Sequence, residues 1–174
     1  MALDTFAVAM HWRGLGSTNV SLQSAARSFT ISGASYTTDA LGDLVRAAVS
    51  IVCNAQRCTF SMDGEPAEFR FIISVDFKTA PMVSIRILEF HDIYEELPDA
   101  DGTEVFACDV PRDEFGNAVL SAANAVLANH GVAGYATING GWNAFPIRAV
   151  AALASALRAG EGEGMDSTLR SGLG

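Results

Sequence analysis

The chain has 174 residues, of which 49% are hydrophobic and 18% charged, with a net charge of −9. This length and apolar fraction fit one globular domain able to bury a core without disulfide or metal staples, and they exclude a largely disordered chain. Lys78 is the sole lysine and the ten arginines are scattered, so the clustered cations that grip a nucleic-acid backbone are missing.

The first residues, Met1-Ala2-Leu3-Asp4, carry no basic leader, and Phe6 to Met10 is too short for a signal core. No run approaches the roughly 20 apolar residues of a membrane span. Cys53, Cys58 and Cys108 are odd in number and contain no CxxC pair. Reduced thiols and a cytoplasmic location are expected, with a Cys53–Cys58 bridge the minor alternative.

Phe6 to Trp12 reads as a short first segment, and residues 17 to 28, rich in Ser, Thr, Asn and Gln, read as a loop. Phe29, Ile31 and Gly33 alternate with Thr30 and Ser32, the period of a half-buried strand. Thr37, Thr38 and Asp39 offer capping oxygens for a helix whose Leu41, Leu44, Val45, Ala48, Ile51 and Val52 form one apolar stripe.

Four strands are predicted next. Cys58 to Met62 leads into Asp63-Gly64, a dipeptide that favours a hairpin corner because both residues tolerate positive φ. Glu68 to Val75 sets Phe69, Phe71, Ile73 and Val75 on one face. Met82 to Phe90 does the same with Val83, Ile85 and Ile87, and Glu104 to Val110 follows an acidic connection. Ile72 and Leu88 lie on the second faces of their strands, which points to burial on both sides, by further helices or by a second copy of the chain. Short connections favour an antiparallel meander.

After Pro111 the spacing predicts a helix from Asp113 to His130, with Gly131 at its left-handed cap. A Gly-rich loop, residues 131–144, carries Tyr135 and Trp142, and Pro146 opens a third helix. Residues 1–158 are read as a single domain and 159–174 as a mobile Gly/Glu-rich tail. The expected architecture is α+β, in the order β-α-β-β-β-β-α-α, with a largely antiparallel sheet of about five strands packed against helices.

Charge is distributed unevenly. Residues 91 to 114 hold nine acidic residues against Arg112, a local sum of −8, while the rest of the chain is nearly neutral. Solvation alone accounts for many such stretches, but here Ile93, Tyr94 and Leu97 sit among the acids. Apolar anchors inside a charged rim are what an interface needs. Asp92, Glu95, Glu96, Asp99 and Asp101 are therefore the candidate steering residues, and Tyr94 is the candidate anchor.

Signatures of chemistry are weak. Placing Gly102 at the sixth position of a calcium loop puts Leu97 and Cys108 where carboxylates belong, so that match fails. His91, Asp92 and Glu95 would share a face only if a helical turn runs through them. Gly14-Leu15-Gly16-Ser17-Thr18 lacks the Gly-Lys-Ser/Thr of a phosphate loop, and GxSxG and HExxH do not occur. Asp109 beside Cys108 raises a thiol pKa rather than activating it. No catalytic residue, metal ligand or cofactor is expected.

Asp39-Ala-Leu-Gly-Asp-Leu-Val-Arg-Ala-Ala, Asp63-Gly-Glu-Pro-Ala-Glu-Phe-Arg-Phe, Val83-Ser-Ile-Arg-Ile-Leu-Glu-Phe, and Gly134-Tyr135 followed by Trp142 and Phe145-Pro146 together resemble a loose group of small uncharacterised acidic bacterial proteins. That group is similar in style to the immunity proteins encoded beside bacterial toxins. The resemblance spans residues 29 to 158 and carries over no individual site residue. It implies a non-enzymatic inhibitor of a basic toxin, of nuclease or deaminase type; the charge balance and the lack of a long apolar run argue against nucleic-acid and membrane partners. The alternative is an enzyme or small-ligand binder whose pocket lies near the Gly-rich loop, with His91, Glu95, Tyr135 and Trp142 as its candidates.

Overall fold

A computed structural model describes residues 5–76 and 82–171, with side chains described for 5–75 and 82–160. Three strands, β1 (Ala7–Gly14), β2 (Ser17–Gln23) and β3 (Ser28–Ser35), form an antiparallel meander. Helix α1 (Ala40–Val52) leads to a second meander of β4 (Arg57–Asp63), β5 (Glu68–Asp76), β6 (Met82–Phe90) and β7 (Thr103–Pro111). Helices α2 (Arg112–Ile138) and α3 (Ile147–Ser171) complete the chain. The tail reading at 159–174 thus begins inside α3, and residues 172–174 lie outside the described residues.

The α+β class holds, but the single sheet of about five strands is corrected to two sheets of three and four. The two strands missing from the expected order are β1 and β2. In β2, Thr18, Val20 and Leu22 are buried and alternate with Asn19 and Ser21. That is a strand period, masked by the polar residues of the outward face. Pairing on both sides, Val20 with Met10 and with Ile31, holds the segment extended despite its polar composition.

Side-chain alternation builds the core. Phe71, Ile73 and Val75 of β5 pair with Ile87, Ile85 and Val83 of β6. With Phe106 and Val110 of β7 they join one hydrophobic cluster that also takes Val20 and Ile31 from the first sheet and residues from all three helices. Helix α1 supplies Leu41, Leu44, Val45, Ala48 and Ile51, the stripe expected from sequence. Its N-cap is Asp39, whose carboxylate accepts from the Gly42 amide at 3.2 Å.

Two local expectations change. Between β4 and β5 the turn is closed by the Gly64 amide donating to the Ala67 carbonyl at 2.7 Å, and positive φ falls on Glu65, at 27°, ahead of Pro66. The Gly-rich loop is also shorter than expected. Gly131 does leave the helix, with φ 65° and ψ 174°, but residues 132–138 turn helical again. Tertiary packing overrides poor local propensity there. Tyr135 is buried, edge-on to Trp12 at 5.4 Å and to Phe145 at 5.5 Å, and Trp12 also packs on His130 at 5.6 Å. Cys53, Cys58 and Cys108 are all free thiols, and among the described residues no helix is long and apolar enough to cross a membrane.

Candidate partner-binding surface

The four-stranded sheet has a second face, away from the main core. By register it carries Ser61 from β4, Glu68, Arg70 and Ile72 from β5, Arg86, Leu88 and Phe90 from β6, and Glu104 from β7. Ile72, Leu88 and Phe90 form a small separate cluster on it, and Leu97 packs against them. The connection between β6 and β7, residues 91–102, therefore lies over this face rather than standing free in solvent. Among the described residues the acidic connection, not an α-helix, covers Ile72 and Leu88.

Arg70 fixes the connection in place. Its Nε and Nη2 donate to the Glu68 carboxylate at 2.9 and 3.3 Å. Nη1 donates to the Leu97 carbonyl at 2.8 Å and to Asp99 Oδ1 at 3.0 Å. The guanidinium lies 4.2 Å from the centre of the Phe90 ring. Ser61 Oγ donates to Glu68 Oε1 at 2.5 Å, and Arg57 reaches Asp99 Oδ2 at 3.1 Å. The Arg70 and Glu68 side chains are only 16% and 11% exposed, so water screens this pair weakly. The Glu68 and Asp99 carboxylates raise the Arg70 pKa above its ordinary value, and Arg70 holds Asp99 below the usual carboxylate range.

The proposed site residues divide accordingly. Asp99 is engaged in anchoring the connection. Asp92 accepts from the Tyr94 amide at 2.8 Å, which fixes the backbone at Tyr94 locally. Tyr94, Glu95, Glu96 and Asp101 face solvent, with Tyr94 87% exposed. Ile93 donates its amide to the Pro66 carbonyl at 3.1 Å, tying the start of the acidic run to the β4–β5 turn. Between them lies a shallow cavity of about 590 Å³ lined by Ser61, Asp63, Glu68, Arg70, Glu95 and Glu96 among others.

Sequence reasoning missed Arg70 and Glu68. The available signal was their alternation with Phe69 and Phe71, which places an ion pair on the same sheet face as Ile72.

The residues of the alternative pocket sit in unlike surroundings. Tyr135 is 1% exposed, inside the core, whereas Trp142 is 71% exposed. His91 is exposed and no helical turn joins it to Glu95. Among the described residues no group of three or more His, Cys, Asp or Glu is placed to hold a metal ion. Burial, then the neighbouring Asp109 and Glu114, pushes the Cys108 thiol up to about 11, a poor nucleophile at neutral pH.

No family model, curated protein or solved structure matches this chain.

Proposed function

We propose that this protein is a non-enzymatic, protein-binding inhibitor: a cytoplasmic immunity protein that neutralises a basic bacterial toxin of nuclease or deaminase type through its acidic loop. One observation carries the reading. Tyr94 is held almost fully exposed between Asp92 and the Glu95–Glu96 pair, on a loop anchored to the sheet by Arg70. An exposed aromatic ring on a fixed base supplies an interface anchor at low entropic cost. The surrounding carboxylates steer a basic partner toward it. Enzymes that act on nucleic acid require positive clefts to hold phosphate, and an acidic surface of this kind excludes substrate from such a cleft by covering it.

Affinity capture from a lysate of the source organism at low salt tests the proposal. The bait is compared with a variant carrying Asp92→Asn, Glu95→Gln, Glu96→Gln and Asp101→Asn, with Asp99 kept because it anchors the loop. A basic protein held by the wild type and released by the variant is expected. Equal capture by both baits contradicts the reading.

A further inference from the structure

Residues 91–102 alone are a small contact surface beside the 20 to 30 residues that a typical stable interface takes from each partner. A second exposed aromatic feature connects to them through the β4–β5 turn. Trp142 is 71% and Tyr36 41% exposed, and their rings stack with centroids 5.6 Å apart and an interplanar angle of 22°.

This pair is fixed rather than loosely displayed. The Tyr36 amide donates to the Gly16 carbonyl at 2.9 Å, and Gly16, at φ 73°, leaves room for the ring: a Cβ there would lie 2.5 Å from Tyr36 Cδ1. Asn143 Nδ2 donates to the carbonyls of Tyr36 and Thr38 at 3.1 and 3.3 Å, clamping the segment after Trp142 onto the segment after β3. The Trp142 amide donates to the Asn139 carbonyl at 3.3 Å. Two large rings are thus prepaid in conformational entropy while still open to solvent, the condition of an interface anchor.

Two carboxylates are held by the sequence neighbours of Tyr36. Thr37 Oγ1 donates to Asp63 Oδ2 at 2.8 Å, and Ser35 Oγ donates to Glu65 Oε1 at 3.0 Å, one residue to either side of Tyr36. Asp63 ends β4 and Glu65 lies in the turn that follows it, whose Pro66 carbonyl receives the Ile93 amide. The segment that carries Tyr36, the turn and the acidic loop are therefore linked in series by direct hydrogen bonds.

We propose that the Tyr36–Trp142 stack is an arginine-stacking platform, joined to the acidic loop through the Asp63–Pro66 turn, and that the partner presents an arginine-rich segment to it. A guanidinium lies flat on an aromatic ring while its N–H fork reaches neighbouring carboxylates; a lysine ammonium is more strongly hydrated and lacks the planar face. A second copy of the chain does not suit this surface, because it brings the same carboxylates and a net charge of −9. The inference rests on the acidic-loop proposal for the sign of the partner's charge and adds the type of cation.

The test uses the full chain and two labelled peptides of equal length and charge, deca-arginine and deca-lysine, with binding read by fluorescence anisotropy. Wild type is expected to bind deca-arginine about fivefold more tightly than deca-lysine. Trp142→Ala should abolish that preference and leave deca-lysine affinity unchanged, while Trp142→Phe keeps most of it. Neutralising Asp92, Glu95, Glu96 and Asp101 should weaken both peptides and preserve their ratio. Equal affinity of wild type for the two peptides, or a preference untouched by Trp142→Ala, overturns the platform. A preference lost in Trp142→Ala together with affinities untouched by loop neutralisation supports the platform and overturns the acidic-loop proposal.

Discussion

Arg70 donates to Asp99 at 3.0 Å across 29 residues of sequence, and in doing so fixes the acidic connection to the sheet it crosses. The same guanidinium satisfies Glu68, so one side chain both neutralises a buried carboxylate and positions an exposed loop. Removing it leaves Glu68 buried without its cation. Arg70→Met is expected to lower stability by about 3 kcal/mol in urea unfolding. Adding Glu68→Gln should recover part of the loss, because the uncompensated charge is then gone; equal stability of single and double variants would count against this account.

Acid should loosen the loop. Arg70, and less strongly Arg57, hold the Asp99 pKa below its ordinary value, so the folded state binds this proton less readily than the unfolded chain. The resulting stabilisation is fully present above the usual Asp pKa of about 3.9 and is lost as pH falls through the lower folded value. Amides in residues 91–102 should therefore lose more protection in acid than those of the β5–β6 core, once intrinsic rates are corrected. Asp99→Asn should remove that difference in pH dependence.

Gly102 ends the Asp99–Asp101 turn where the chain enters β7. A Cβ there would lie 2.6 Å from Phe90 Cζ and 2.9 Å from Leu88 Cβ, the residues on which Leu97 rests. Gly102→Ala is expected to cost about 1–3 kcal/mol through overpacking. A melting temperature unchanged from wild type would refute that packing.

The thiols should react in order of access. Cys53 is exposed, whereas Cys108 is half-buried with its pKa pushed up to about 11. Iodoacetamide at pH 8 should modify Cys53 first and leave Cys108 largely intact, as peptide mass mapping will show. Faster modification of Cys108 would contradict its described environment.

Strong periodicity made much of this fold legible from sequence. The stripe of Leu41, Leu44, Val45, Ala48 and Ile51, capped by Asp39, defined α1, and the alternation of Phe71, Ile73 and Val75 defined β5. Segments that depend on distant partners were not legible. Thr18, Val20 and Leu22 alternate correctly, but β2 is held extended by neighbours on both sides. Residues 132–138 coil because Tyr135 packs against Trp12 and Phe145, contacts that no local pattern encodes. The acidic run was visible as charge, whereas its anchorage by Arg70 required the register of β5 and β6.

The central claim is that the anchored acidic loop steers and seats a basic partner. The most direct measurement is the association rate constant with the captured partner as a function of salt, for wild type and for the variant neutralised at Asp92, Glu95, Glu96 and Asp101. The wild-type rate should fall at least tenfold between about 20 and 300 mM salt, while the variant should be slow and nearly flat. Identical rates and salt slopes for the two proteins would contradict the claim.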